Sequence, residues 1–157
     1  KILNTGLITA IGIDDINIVK KLISLGANVK HSNYLAVRTV IDPQIKFDII
    51  KTVFDTIDDF TWDNTRPMFL AIQWGRKDVV KELIKRKVVP EYQHLVIALE
   101  MGDDDICDLV LDSIPELSQE ELNLLASDAL YNKHKKAIEL LKKRGANTRP
   151  NKLSLKD

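Results

Sequence analysis

The chain has 157 residues, 23 of them basic and 23 acidic, so it is long enough for a buried core and has no net charge drawing it to nucleic acid or an anionic membrane. With 45% hydrophobic residues, six glycines and five prolines it is not disordered by composition, and its apolar runs fall well short of the roughly 18 residues a membrane span needs. The single cysteine, Cys107, cannot form an internal disulfide and fits a reducing compartment. No basic leader with an apolar run and cleavage site is visible, so secretion is not expected. The chain opens on Lys1 rather than methionine, and its natural amino terminus is expected to be missing.

One apolar pattern recurs five times: IVKKLI (18–23), IIKTVF (49–54), VVKELI (79–84), ICDLVL (106–111) and AIELLK (137–142). Its second members, Val19, Ile50, Val80, Cys107 and Ile138, are 31, 30, 27 and 31 residues apart. A period in the range of roughly 20–50 residues marks a stacked-repeat protein. The predicted domain therefore covers residues 1–150, in units of about 4–30, 31–61, 62–90, 91–116 and 117–147, with 148–157 a tail or the start of a further repeat.

In the first unit, Leu7, Ala10 and Ile11 predict a short helix with a small-residue face. Asp14 and Asp15 are expected to accept from the exposed amides opening a second helix. There Ile18, Val19, Leu22 and Ile23 make one apolar stripe, and Gly26 stops the helix. The second unit has a clear second helix over 47–56, preceded by an insertion around Asp42-Pro43 that should lengthen the connection between its helices. The third has Pro67 suited to the first helical position and Gly75 as a break. In the fourth, Ala98, Leu99 and Gly102 take the corresponding places, and Asp103-Asp104-Asp105 start a helix, since the alternating acids, glycine and terminal glutamate of a calcium loop are absent. In the fifth, Ser118 and Glu121 form a capping-box pattern predicting a longer first helix. Gly145-Ala146-Asn147 then repeats Gly26-Ala27-Asn28.

These motifs resemble the ankyrin repeat, a unit of about 33 residues opening Thr-Pro-Leu-His-x-Ala. RPMFLA (66–71) approaches that opening, with Phe69 in the histidine's place; TGLITA (5–10) keeps the threonine, leucine and alanine; GANV and GAN match the family's helix stop. The resemblance spans roughly residues 5–147. Asp14 and Lys133 stand where the glycine between helices is usual. Tetratricopeptide and HEAT-type stacks fit the spacing and composition less well. The expected fold is an all-α, ankyrin-like helical-repeat solenoid with short hairpin or loop connections.

Little in the sequence points to chemistry. His31, His94 and His134 lie in different units without acidic or cysteine companions, which argues for solvent or turn histidines over a zinc site. Cys107 occupies an apolar register and should be buried and inert. No phosphate-cradling glycine loop, strained serine turn or paired metalloprotease histidines occur. No enzyme activity, cofactor or metal is expected.

The resemblance implies instead a partner protein held on a concave face, lined by hairpin tips and the outer part of each first helix. Carried over residue by residue, the candidate contacts are Trp62 and Asp63 at a hairpin tip and Gln73, Trp74, Glu100, Met101, Tyr131 and Asn132 after the alanine-containing helix core. Tyr92 lies in a connecting segment. Aromatic residues and methionine are enriched in such interfaces. The charges fall in bands: residues 100–132 hold ten acids and no Lys or Arg, residues 133–157 nine bases against two acids, and residues 66–88 net +5. Such bands can steer a partner, or attract neighbouring repeats to one another. The expectation is an adaptor, inhibitor or effector binding another protein in the cytoplasm, or in a host cell's cytosol if the source is viral, phage or bacterial. The alternatives are a structural segment of a larger protein, or a nucleic-acid-associated protein using the basic Lys135, Lys136, Lys142 and Lys143, which lack interleaved aromatics.

Overall fold

The computed structural model describes residues 1–60 and 66–148. Among them are ten α-helices and no strand: α1 (Ile2–Gly12), α2 (Ile16–Ser24), α3 (His31–Val40), α4 (Phe47–Phe54), α5 (Arg66–Gln73), α6 (Lys77–Lys85), α7 (Tyr92–Met101), α8 (Asp104–Ser113), α9 (Gln119–Tyr131) and α10 (Lys135–Lys143). The chain is all-α, in five helix pairs. Its contacts gather into two compact units, Lys1–Pro90 with three pairs and Glu91–Asp157 with two. In the first, α1 packs on α2 and α3, α3 on α4 and α5, α2 on α4, and α6 on α4 and α5. In the second, α7 packs on α8 and α9, and α10 on α8 and α9. Within each unit first helices lie against first helices and second against second, so each pair shields its neighbour's apolar side.

One backbone device sets the turn inside a pair. Asp14, Gly75, Gly102 and Lys133 have φ of 57°, 66°, 71° and 59°, each immediately before the N-cap of a second helix: Asp15, Arg76, Asp103 and His134. In three pairs the N-cap amide donates back to a buried alanine carbonyl, Asp15 to Ala10 at 3.1 Å, Arg76 to Ala71 at 2.8 Å and His134 to Ala129 at 2.9 Å. Left-handed backbone favours glycine, yet Asp14 and Lys133 adopt it too, because that bond and the packed helices fix the turn. The C-terminal stops follow the same logic. Gly26 and Gly145 have φ of 92° and 95°, while the next amides, of Ala27 and Ala146, donate to Leu22 and Leu141 at 3.0 and 2.9 Å. Lys87, at φ 69°, makes that turn without glycine.

Of the two acids expected to cap α2, only Asp15 does so, accepting from Asn17 and Ile18 at 3.0 Å each. Asp14 is occupied elsewhere, as described below. Asp103 caps α8 through Asp105 and Ile106, and Ser118 with Glu121 forms the expected capping box on the thirteen-residue α9, the longest helix described. The insertion in the second pair is present: six residues, 41–46, join α3 to α4, where two or three join the other pairs.

The recurring pattern holds in register. Val19, Ile50, Val80, Cys107 and Ile138 each donate their amide to the N-cap carbonyl four residues back, at 2.9 to 3.4 Å. Residues one position earlier add to the buried side in four of the five pairs. Ile49, Val79, Ile106 and Ala137 are buried, whereas Ile18 is 44% exposed, with Leu22 half-buried beside it. The four-residue stripe expected on α2 is therefore divided, Val19 facing the stack and Ile18 lining an open apolar groove of about 700 Å³ with Ile2, Gly6, Ile13 and Leu22.

Polar clamps join neighbouring pairs at both ends of the second helices. At the starts, Lys46 places its amide 3.0 Å and its Nζ 2.8 Å from the Asp14 carboxylate, which is held below the usual carboxylate range by that contact while the lysine is pushed up. Arg76 is buried in the carbonyls of the 41–46 insertion, donating to Asp42 O at 2.6 Å and Ile45 O at 3.0 Å, with its other nitrogens on Asp78. Lys136 pairs with Asp105 at 3.5 Å. At the ends, Arg86 meets Asp55 at 2.5 Å and lies over the Phe54 ring, while Arg144 pairs with Asp112 and donates to Leu111 O at 3.0 Å.

Candidate binding face on the first helices

In a helix buried on one side, residues three, four and seven apart share the free side. On α5 this side carries Arg66, Phe69, Leu70 and Gln73, and on α3 Leu35 and Arg38; Met68, Ala71 and Ile72 are buried opposite. On α7 it carries Gln93, Val96, Ile97 and Glu100, and on α9 Leu124, Ser127, Asp128 and Tyr131, with Leu95, Ala98 and Leu99, and Leu125, Ala126 and Ala129, buried behind. Counting back from the left-handed Gly102 and Lys133 makes the two sets equivalent, Gln93 with Leu124, Ile97 with Asp128 and Glu100 with Tyr131. Since α7 packs on α9, these side chains belong to one surface.

The candidate residues fall at two ends of the first helices. Gln73 and Trp74, Glu100 and Met101, and Tyr131 and Asn132 all stand at the turn into the second helix. Trp74 and Met101 directly precede the left-handed residue and are equivalent; all six are exposed, with Trp74 at 40%, Met101 at 52% and Tyr131 at 88%. Tyr92 opens α7 and is half-buried. Nine helical rises separate it from Met101, roughly 13 Å along the axis. The structure therefore does not bring Tyr92 to the turn end. Trp62 and Asp63 lie outside the described residues.

Sequence reasoning passed over the middle of the free side: Leu35, Phe69 (38% exposed), Leu124 (52% exposed) and the half-buried Ile8, Val96 and Ile97. Phe69 had been read only as a motif position, yet its spacing of four from Gln73 marks the same side. A groove of about 180 Å³ runs between α1 and α3, lined by Thr5, Ile8, Thr9, His31 and Leu35. Asn4 at its edge is structural: its Oδ1 accepts from the Asn28 amide at 2.7 Å, as Asn123 accepts from Asn147 at 2.8 Å in the last pair.

The electrostatics separate the units. Helices α1, α3 and α5 contain Arg38 and Arg66 and no acid, whereas α7 and α9 contain Glu100, Glu120, Glu121 and Asp128 and no Lys or Arg. Tyr92 registers that field: burial first, then the Asp128 and Glu121 carboxylates, push its phenol above the ordinary value.

The remaining reactive groups serve packing. Cys107 is buried and its thiol pushed up to about 12, by desolvation first and then by Asp104 and Asp103. His94, expected at solvent or in a turn, is buried; its Nδ1 accepts from the Glu91 amide at 2.9 Å in a capping box at the start of α7. His134 packs against Gly102, where an added Cβ would lie 2.9 Å from its Cε1. Among the described residues no three His, Cys, Asp or Glu converge as metal ligands, and no helix is long and apolar enough to cross a membrane. The chain matches no protein-family model and no curated protein.

Proposed function

We propose that the chain is a divergent ankyrin-like repeat protein, a non-catalytic module that binds another protein through the free sides of its first helices. Its chief support is the exposure of large side chains that the repeat does not need for its core: Phe69 and Trp74 in the N-terminal unit, Met101, Leu124 and Tyr131 in the C-terminal unit. Isolated exposed apolar residues are ordinary, but Trp74 and Met101 recur at one repeat position, and the others share the free sides of the same first helices, as a binding face would require. The glycine-alanine-asparagine stops, the left-handed turn between helices and the paired stacking within each unit favour the ankyrin kinship. Catalysis is left out because the thiol and the buried imidazole are engaged in packing. The proposed setting is the cytoplasm, or a host cell's cytosol, with the protein serving as adaptor, inhibitor or effector.

A rigid stacked face binds with little ordering of its own, so affinity concentrates in a few anchors. Trp74→Ala should leave the melting temperature nearly unchanged and weaken the partner by about 2 kcal/mol. The test is affinity capture with the parent, Trp74→Ala, Met101→Ala and, on a second helix, Lys81→Ala. A partner retained by parent and Lys81→Ala but lost from either face variant supports the reading. Equal recovery on all four folded proteins overturns it.

A further inference from the structure

We infer that the α7–α9 face receives a basic amphipathic segment of the protein partner, with lysine or arginine flanking apolar side chains; this rests on the first-helix reading above and adds the partner's chemistry. The surface is apolar along its middle and acidic along its length. Val96 and Ile97 are half-buried, and Met101, Leu124 and Tyr131 are exposed, so apolar side chains of a partner have something to cover. Glu100 lies on the free side of α7 and Asp128 on that of α9, with Glu120 in the first turn of α9.

No base interrupts this field from within. Helices α7, α8 and α9 together carry eight carboxylates and no Lys or Arg. Among the described residues the bases of the C-terminal unit are on α10 and its flanking turns, and α10 packs on α8 and α9 as a second helix. Two of them are already engaged, Lys136 with Asp105 and Arg144 with Asp112. Lys133, in the turn after α9, stands at the rim. A field of one sign over a partly apolar surface raises the association rate of an oppositely charged partner and rejects a like-charged one, while the apolar contacts set the lifetime of the complex. The first helices of the N-terminal unit, with arginines and no acid, offer a basic segment nothing comparable.

The experiment uses the full chain and three labelled synthetic peptides: a helical leucine–lysine amphipath, its glutamate-for-lysine twin and its serine-for-leucine twin. The leucine–lysine peptide should bind at least about tenfold more tightly than either twin, and progressively less as salt rises. Glu100→Lys with Asp128→Lys should weaken it about tenfold or more, and Met101→Ser with Leu124→Ser should weaken it without changing the salt dependence. Asp104→Lys with Glu116→Lys applies the same charge change off the face and should have little effect; circular dichroism verifies that each variant is folded. Equal loss from on-face and off-face variants, equal binding by the serine twin, or no binding overturns the inference. Amide chemical-shift mapping separates the two levels. Shifts centred on α1, α3 and α5 overturn the assigned chemistry and leave the first-helix reading standing; shifts centred on α8 and α10 overturn both.

Discussion

The N-terminal and C-terminal units clamp their helix pairs in the same way but give their first helices opposite charge. Lys46 on Asp14 and Arg86 on Asp55 in one unit correspond to Lys136 on Asp105 and Arg144 on Asp112 in the other, a base reaching back 31 or 32 residues to an acid in each case. The free sides of the first helices do not share this constraint: arginine without acid in α1, α3 and α5, acid without base in α7 and α9. The difference teaches that the clamps between neighbouring pairs are built from charge on the second helices and their turns, and place no demand on the sign of the charge the first helices carry. A second contrast lies in the turns. The N-terminal unit fills a six-residue insertion with Arg76; the C-terminal unit has no such insertion and brings His134 directly against Gly102.

The largest expected effect removes that filler. Arg76→Ala leaves the carbonyls of Asp42 and Ile45 without the guanidinium that satisfies them and should cost about 3 kcal/mol in urea unfolding. Hydrogen exchange should place the added opening in α3 to α6. Protection lost equally across α7 to α10 would break the separation of the units.

Alkali should strike the other unit. The folded Cys107 thiol titrates near 12, against 9.0 for an ordinary thiol. Its stabilising effect is therefore intact below 9.0 and is lost as pH rises from there toward the folded value. That amounts to about 1 kcal/mol per pH unit. Cys107→Val should flatten this limb of the stability–pH curve, and an unchanged limb would show that other groups dominate it.

Two glycine substitutions sharpen the contrast in turns. Gly75→Ala has open space around the new Cβ and should cost about 1 kcal/mol for the left-handed backbone alone. Gly102→Ala adds the contact with His134 and should cost roughly 2 kcal/mol. Combining it with His134→Ala, in a thermal-denaturation cycle, should recover the excess. Smallest of all, Lys87→Gly and Lys133→Gly should each raise stability by about 0.5 kcal/mol, because glycine relieves a left-handed lysine at some entropic cost. A difference between these two would mean that one turn is held by more than its helices.

Much of this architecture was legible in the residues. The five apolar cores, the Asp103 and Ser118 caps, the glycine stops and the Asp42-Pro43 insertion all express local preferences, which sequence displays directly. Asp14 was misread because a cap and a clamp to the next pair use the same carboxylate, and only the fold brings Lys46 to it. The charge bands were visible as composition, but their resolution into clamps and a free side needs to know which helix face each residue occupies. His94 looked like a surface residue because burial of a polar ring depends on a partner, the Glu91 amide, that spacing does not announce. The site was the least legible part. Large residues at the turns stood out, whereas Leu35, Phe69 and Leu124 are recognisable as exposed only once the buried alanine side is known.

The clamps reach no further than the adjacent pair. Among the side-chain hydrogen bonds described, the widest sequence separation is 34 residues, between Arg76 and Asp42. Such short reach lowers the loop-closure entropy that must be overcome before a contact forms, so a pair can find its neighbour early, and assembly can start at any point along the chain and spread outward. Folding should then be fast for a chain of this size, and on a ribosome each finished pair becomes a template for the one that follows.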